Sequence, residues 1–365
     1  MSGRVILLAA VLSASAAAGC SDVRDDGGVP LAPGAGQRTA TVVYSNDYEI
    51  DLFGLEMHAT FDIHRNRRVA AALVQGGAVP PGALLAPEEV SREDLLRVHT
   101  PEYLATLATP SRVADYLAQG MLRLFSAATI DRQILSTFRR GTGGTILAAR
   151  RALAEGLAFN LGGGYHHAMP ERGMGGCVYA DVPVAVRVLQ AAQPGLRVLV
   201  VDGNVHQGNG LAVCLAADAA VFTLSVFEAD LWPPEKPPND LDVGLKLPVD
   251  DAAYLAALEA CLPRVLDEFR PHLVMFIAGV GVLAGDPNGH FEMTHDGVLR
   301  RDAYVVGQSR QRGAAVCWLA GGGFSKQAWR TQAASVAALI AAHGRERRQT
   351  ATATATTPAC GARGL

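Results

Sequence analysis

Between about Thr41 and Ala342 the chain alternates short apolar runs with longer stretches of helical period. TATVVYS, LAFNLGG, RVLVVDG, AAVFTLSV, LVMFIAG and AAVCWLAGGG run out near glycine, serine or aspartate, and none alternates strictly between apolar and polar positions. Such runs read as strands buried on both faces. Between them TGGTILAARRALAEG, VPVAVRVLQAA, DAAYLAALEACLPRVLDEF and WRTQAASVAALIAAHG carry helical patterns. Strands and helices in alternation predict an α/β fold with a mostly parallel central sheet flanked by helices.

In such a sheet ligands gather at the carboxyl ends of the strands. The polar residues of this chain fall there: Tyr165-His166-His167 after LAFNLGGG, Asp202-x-Asn204-x-His206 after RVLVV, Ser225 after AAVFTL, and the residues from Gly281 after LVMFIAGV.

Composition narrows the partners. An apolar fraction of 49% supplies a sizeable core, and a formal charge of −3 without a Lys/Arg block argues against a nucleic-acid surface or a polybasic membrane face. Small or peptidic ligands fit better. The six cysteines form no C-x-x-C pair, which leaves zinc-ribbon and thioredoxin chemistry unsupported; four of them sit among apolar neighbours and read as buried thiols.

MSGRVILLAAVLSASAAAGCSD has the layout of a secretory signal peptide over residues 1–20, with an apolar part too short to span a bilayer. Ala17-Ala18-Gly19-Cys20 also resembles a lipobox, with Cys20 as the lipidated residue of an exported, envelope or periplasmic protein. An ordinary cleaved signal, or a mis-called start ahead of a cytoplasmic domain, are the alternatives. The membrane enters only through that anchor. Residues 21–40 read as a flexible linker, 41–343 as one folded domain, and RERRQTATATATTPACGARGL, within 344–365, as a disordered low-complexity tail.

Adjacent histidines after a glycine-rich strand end suit acid/base work near neutral pH, although a structural pair fits the same letters. Asp202, Asn204 and His206 lie two apart, so extended backbone puts their side chains on one side. Aspartate and histidine at that spacing can ligate a metal, and a structural polar cluster is the other reading.

VHTPEYL, GTGGT, NLGGGYHHAMPERGMGGCVYADV, VLVVDGNVHQGNG, FIAGVGVLAGDPNG and LAGGGFSKQ resemble, in order and interval, the histone deacetylase family. HQGNG and YADV look most like its class IV branch and bacterial relatives. The resemblance implies a three-layer arginase/deacetylase-like fold and, in active members, zinc-dependent hydrolysis of an acyl-lysine or acetylated amine. The metal polarises the carbonyl, a histidine pair handles protons and a tyrosine donates to the oxyanion.

By motif match, His166 and His167 are the proton-handling pair, with Asp202 behind His166 and Asn209 near His167. His206 matches a zinc-binding histidine. Asn204 and Gly281 fall where the resemblance implies zinc-binding aspartates, and Phe324 falls where it implies the catalytic tyrosine. One good ligand is left where catalytic zinc needs three, so zinc is expected to be weak or absent and hydrolysis impaired. Gly164, Gly175 and Gly176 match the substrate channel, with Gly176 in place of a family aromatic. The family's structural potassium site would use Asp202, the carbonyls of Asn204, His206 and Val226, and the Ser225 hydroxyl. Asp181 and Asp286 match family positions, yet they also fit as structural polar residues.

Overall fold

The computed structural model describes residues 40–50 and 62–356. The leader with Cys20, nearly all of the linker, and Cys360 lie outside the described residues. Seven strands form one sheet: β1 (Thr41–Val43), β2 (Leu157–Asn160), β3 (Val198–Asp202), β4 (Val221–Glu228), β5 (Leu241–Leu245), β6 (Leu273–Ile277) and β7 (Ala315–Leu319). Their order is β1-β2-β7-β6-β3-β4-β5, and every pairing is parallel.

Successive strand side chains point to opposite faces, so each apolar run feeds two cores. On β3, Leu199 and Val201 enter one core, and Val198 and Val200 enter the other. The first core is closed by α1 (Arg65–Gln75), α9 (Asp251–Phe269), α10 (His295–Gln311) and α11 (Ala328–Thr356). The second is closed chiefly by α6 (Ser136–Glu155), α7 (Asp181–Ala192) and α8 (Asn209–Leu215), and by the short helices α2 (Arg92–Leu95), α3 (Pro101–Thr106), α4 (Pro110–Tyr116) and α5 (Ala127–Ile130). The result is the expected three-layer α/β architecture.

Two features depart from the sequence pattern. LDVGL of β5 is a short edge strand of alternating exposure, unlike the fully buried runs of the other strands. The folded region also extends past residue 343: α11 continues to Thr356, through residues expected to belong to a disordered tail. Arg345, Glu346, Arg347, Arg348 and Gln349 are good helix formers, and Gly344 costs only about 1 kcal/mol in a helix already nucleated upstream.

Buried polar links position the strand-end loops. His99 accepts the Ala180 N–H at Nε2 (2.9 Å) and its Nδ1 meets the Met169 carbonyl (3.1 Å). Thr100 caps α3 by accepting the Tyr103 N–H, and the Tyr103 hydroxyl donates to the Val178 carbonyl at 2.6 Å. VHTPEYL thus staples the long loop that follows β2. Among the described residues, no helix is long and apolar enough to cross a membrane.

Candidate functional site

Apart from Cys20, which lies outside the described residues, the site residues expected from the sequence lie at the carboxyl edge of the sheet, in the loops beyond it or, for Asn209, at the start of α8. Asp202 ends β3 in register with Ser225 on β4 and Ile277 on β6. Its carboxylate is nearly inaccessible and fully used. Oδ2 meets His166 Nδ1 at 2.6 Å, while Oδ1 accepts the Asn204 backbone N–H at 3.0 Å and the Asn204 Nδ2 at 3.1 Å. Asn204 in turn accepts the Gly322 N–H at Oδ1, 3.2 Å away. This amide orientation is the one that places a donor against the carboxylate and an acceptor against the peptide N–H.

His167 stacks beside His166, with ring centroids 3.8 Å apart, and its Nδ1 meets Asn209 Oδ1 at 2.7 Å. Burial, reinforced by neighbouring His166, pushes the His167 imidazole well below its ordinary range. Burial also holds His206 down at about 4. Both rings are therefore neutral near pH 7.

The glycine loop after β7 is held from two sides. Arg65 donates to the carbonyls of Gly321 (2.7 Å) and Gly323 (3.1 Å), and Asp286 accepts the N–H groups of Phe324 (2.7 Å) and Ser325 (2.9 Å). Asp181 accepts the N–H groups of Gly164 and Tyr165 and the Thr145 hydroxyl. Both aspartates are thus backbone clamps. Fully buried Arg301 donates to the carbonyls of Gly203 (3.0 Å) and Gly279 (2.7 Å), tying the loop of Asn204 to the loop that leads to Gly281.

These groups surround a cavity of about 840 Å³ lined by His166, His167, Asn204, His206, Gly281 and Phe324, among others. Gly164, Gly175 and Gly176 also line it. Gly175 has φ +59°, and a Cβ there would stand 2.6 Å from the Trp232 ring and 2.7 Å from His167 Cδ2, so glycine is required twice over. At Gly176 the corresponding space is open.

Sequence reasoning missed Trp232. Its indole packs edge-on against His167 (4.7 Å) and His206 (5.5 Å) and lines the cavity. One faint signal existed: one of only three tryptophans, placed before two prolines just beyond a strand end. Arg65 was missed too, because α1 lies far in sequence from the loop it holds. Cys177, Cys261 and Cys317 are buried free thiols as expected, while Cys214 is partly exposed.

An all-parallel sheet with a histidine pair and buried carboxylates at its carboxyl edge defines a three-layer α/β protein with a polar site at its strand ends. A histone deacetylase domain profile matches residues 59–340. Histone deacetylase 2 of Arabidopsis thaliana is 32% identical over 299 residues, which is 81% of this chain and 77% of that protein. An uncharacterised protein of Picosynechococcus sp. is 35% identical over 286 residues, covering 78% and 92% of the two chains. The crystal structure of the HDA15 HD domain superposes with a TM-score of 0.68 at 23% identity, covering 83% of this chain and 89% of the other, a likeness of fold. The chain belongs to the histone deacetylase family. That family is zinc-dependent and acts on acetylated lysine.

Proposed function

We propose that this protein is a deacetylase-fold binding protein, catalytically impaired by the family mechanism, whose tunnel takes an amine-bearing chain such as an acyl-lysine or acetylated amine. The observation that carries the reading is the Asn204 amide, committed on one side to Asp202 and on the other to Gly322. The residues do not fit catalytic zinc. Gly281 has no side chain to offer and the Asn204 amide is occupied, which leaves His206 as one strong donor where three are needed. Among the described residues, no three His, Cys, Asp or Glu side chains come together as a metal cluster. Charge is consistent with this reading: a divalent ion with two aspartates sums to zero, and so does an asparagine with a glycine and no ion.

Phe324 completes the deficit. Its loop is held by Arg65 and Asp286, but a phenyl ring cannot donate to an oxyanion, a loss of roughly 10²–10³ in rate for one such donor. The histidine pair would remain as proton acceptors without an electrophile beside them.

Monovalent potassium is a separate case, because Asp202, Ser225 and the carbonyls of Asn204, His206 and Val226 supply oxygen without the missing side chains. The leader and Cys20 support export and an envelope anchor for the mature protein.

The test is elemental analysis of the purified full chain together with an acetyl-lysine peptide assay. Substoichiometric zinc and no turnover are expected. About one zinc per chain with zinc-dependent hydrolysis would instead establish an active deacetylase with an atypical metal site.

A further inference from the structure

We infer that the mouth of this cavity takes a flat aromatic group, so that the ligand is the acyl amide of an aryl-bearing amine and not of an unbranched alkyl amine. The inference rests on the reading that the cavity binds an acylated amine, and it names the class of that ligand.

Two consecutive glycines carry it. Gly175 and Gly176 are both exposed, both line the cavity, and both have positive φ, +59° and +79°. At Gly175 the Trp232 indole closes in, since a Cβ there would stand 2.6 Å from its ring. Gly176 follows at about 3.8 Å along the backbone, and there no described atom lies within 4 Å of the place a Cβ would take. The cavity therefore widens directly beside the indole.

Both borders of that widening are held. The Gly176 N–H donates to the Tyr116 carbonyl at 3.2 Å, which docks the glycine pair on the turn after α4. Leu117 and Ala118 of that turn line the cavity. On the other side Trp232 stands at 76° to the His167 ring and 87° to the His206 ring, so it cannot swing into the open space without giving up both contacts. Even so, 38% of its surface is exposed, and Leu231 beside it also lines the cavity.

A cavity of about 840 Å³ has room for a drug-sized ligand. An unbranched chain would thread it in single file and leave the space at Gly176 to water against an indole. A planar ring fills that space and gains an aromatic contact with Trp232, which is worth about threefold to tenfold in affinity beyond the area buried. Leu117, Ala118 and Leu231 add apolar surface to the same end of the ligand.

The experiment is calorimetric titration of the purified full chain with N-benzylacetamide, N-(cyclohexylmethyl)acetamide and N-heptylacetamide, which share one amide and the same number of substituent carbons. If burial of apolar area alone decided, the heptyl compound would bind most tightly. The benzyl compound is expected to bind at least about threefold more tightly than either of the others. Gly176→Asn puts a side chain into the open space with a residue that tolerates positive φ, and Trp232→Leu removes the aromatic face. Each should abolish the preference, with the thermal midpoint showing that the variant is folded. Equal or tighter binding of the heptyl or cyclohexylmethyl compound, or a preference that survives in a folded variant, overturns the inference and leaves the binding reading standing. Binding of an acetyl-lysine peptide but of none of the three amides does the same, whereas binding of neither peptide nor amides overturns both. Zinc-dependent turnover of the amides would overturn the impaired reading alone, and the same threefold ratio is then read in kcat/KM.

Discussion

Asn204 Nδ2 lies 3.1 Å from Asp202 Oδ1, and the same side chain accepts the Gly322 N–H at 3.2 Å. One amide thereby joins the end of β3 to the glycine loop after β7. Asn204→Asp would set two carboxylate oxygens at about that separation in a buried site. The expected result in metal-free buffer is a loss of roughly 1–3 kcal/mol at neutral pH. One carboxyl of the pair would have a raised folded pKa, so the loss should be small near pH 4 and should grow as pH rises towards that raised value. Urea unfolding of both proteins across pH checks it.

Asn204→Asp, Gly281→Asp and Phe324→Tyr together should bring zinc to about one ion per chain and produce measurable hydrolysis of an acetyl-lysine peptide. At Gly281 a new Cβ would meet Val205 Cγ1 at 3.2 Å, tight but within reach of a small shift. Elemental analysis reads the outcome. No gain in metal would mean that these three positions are not the family's ligand and tyrosine positions.

His99 gives a pH signature away from the cavity floor. Burial holds its imidazole down at about 4, against about 6.5 in the unfolded chain. As pH falls, the unfolded chain takes up the proton first. Its contribution to stability is therefore complete above about pH 6.5 and is lost progressively towards pH 4. His99→Phe should cost roughly 2–4 kcal/mol at pH 7.5, by orphaning the Ala180 N–H and the Met169 carbonyl. Unfolding at pH 7.5 and pH 5 should show a smaller acid loss in the variant than in the wild type.

If the oxygens around Asp202 and Ser225 hold potassium, replacing it with choline should lower the thermal midpoint by a few degrees, the shift for about 1–2 kcal/mol. An unchanged midpoint would remove potassium from the description of the site.

The leader predicts a mature protein in the membrane fraction that becomes soluble on Cys20→Ala. Cell fractionation decides it, and a soluble wild-type protein counts against the anchor.

The six buried strands and the parallel sheet were legible in the letters, whereas the pairing of His166 with Asp202 and of His167 with Asn209 was only what the family resemblance implied. Apolar runs without alternation, and polar residues that begin where those runs stop, report local burial, which a single strand already encodes. Two stretches were less legible: β5, whose alternating edge pattern is short and half exposed, and the end of α11, where low complexity masks helix-forming residues. Arg65 and Arg301 were not legible at all, and Trp232 only faintly, because each acts on residues distant in sequence and carries no local period. Asn204 marks the boundary. Its sequence position showed that an amide stands where the resemblance implies a carboxylate. Only the tertiary structure decided what the amide does, because the Gly322 N–H that fixes its orientation comes from a loop 118 residues away.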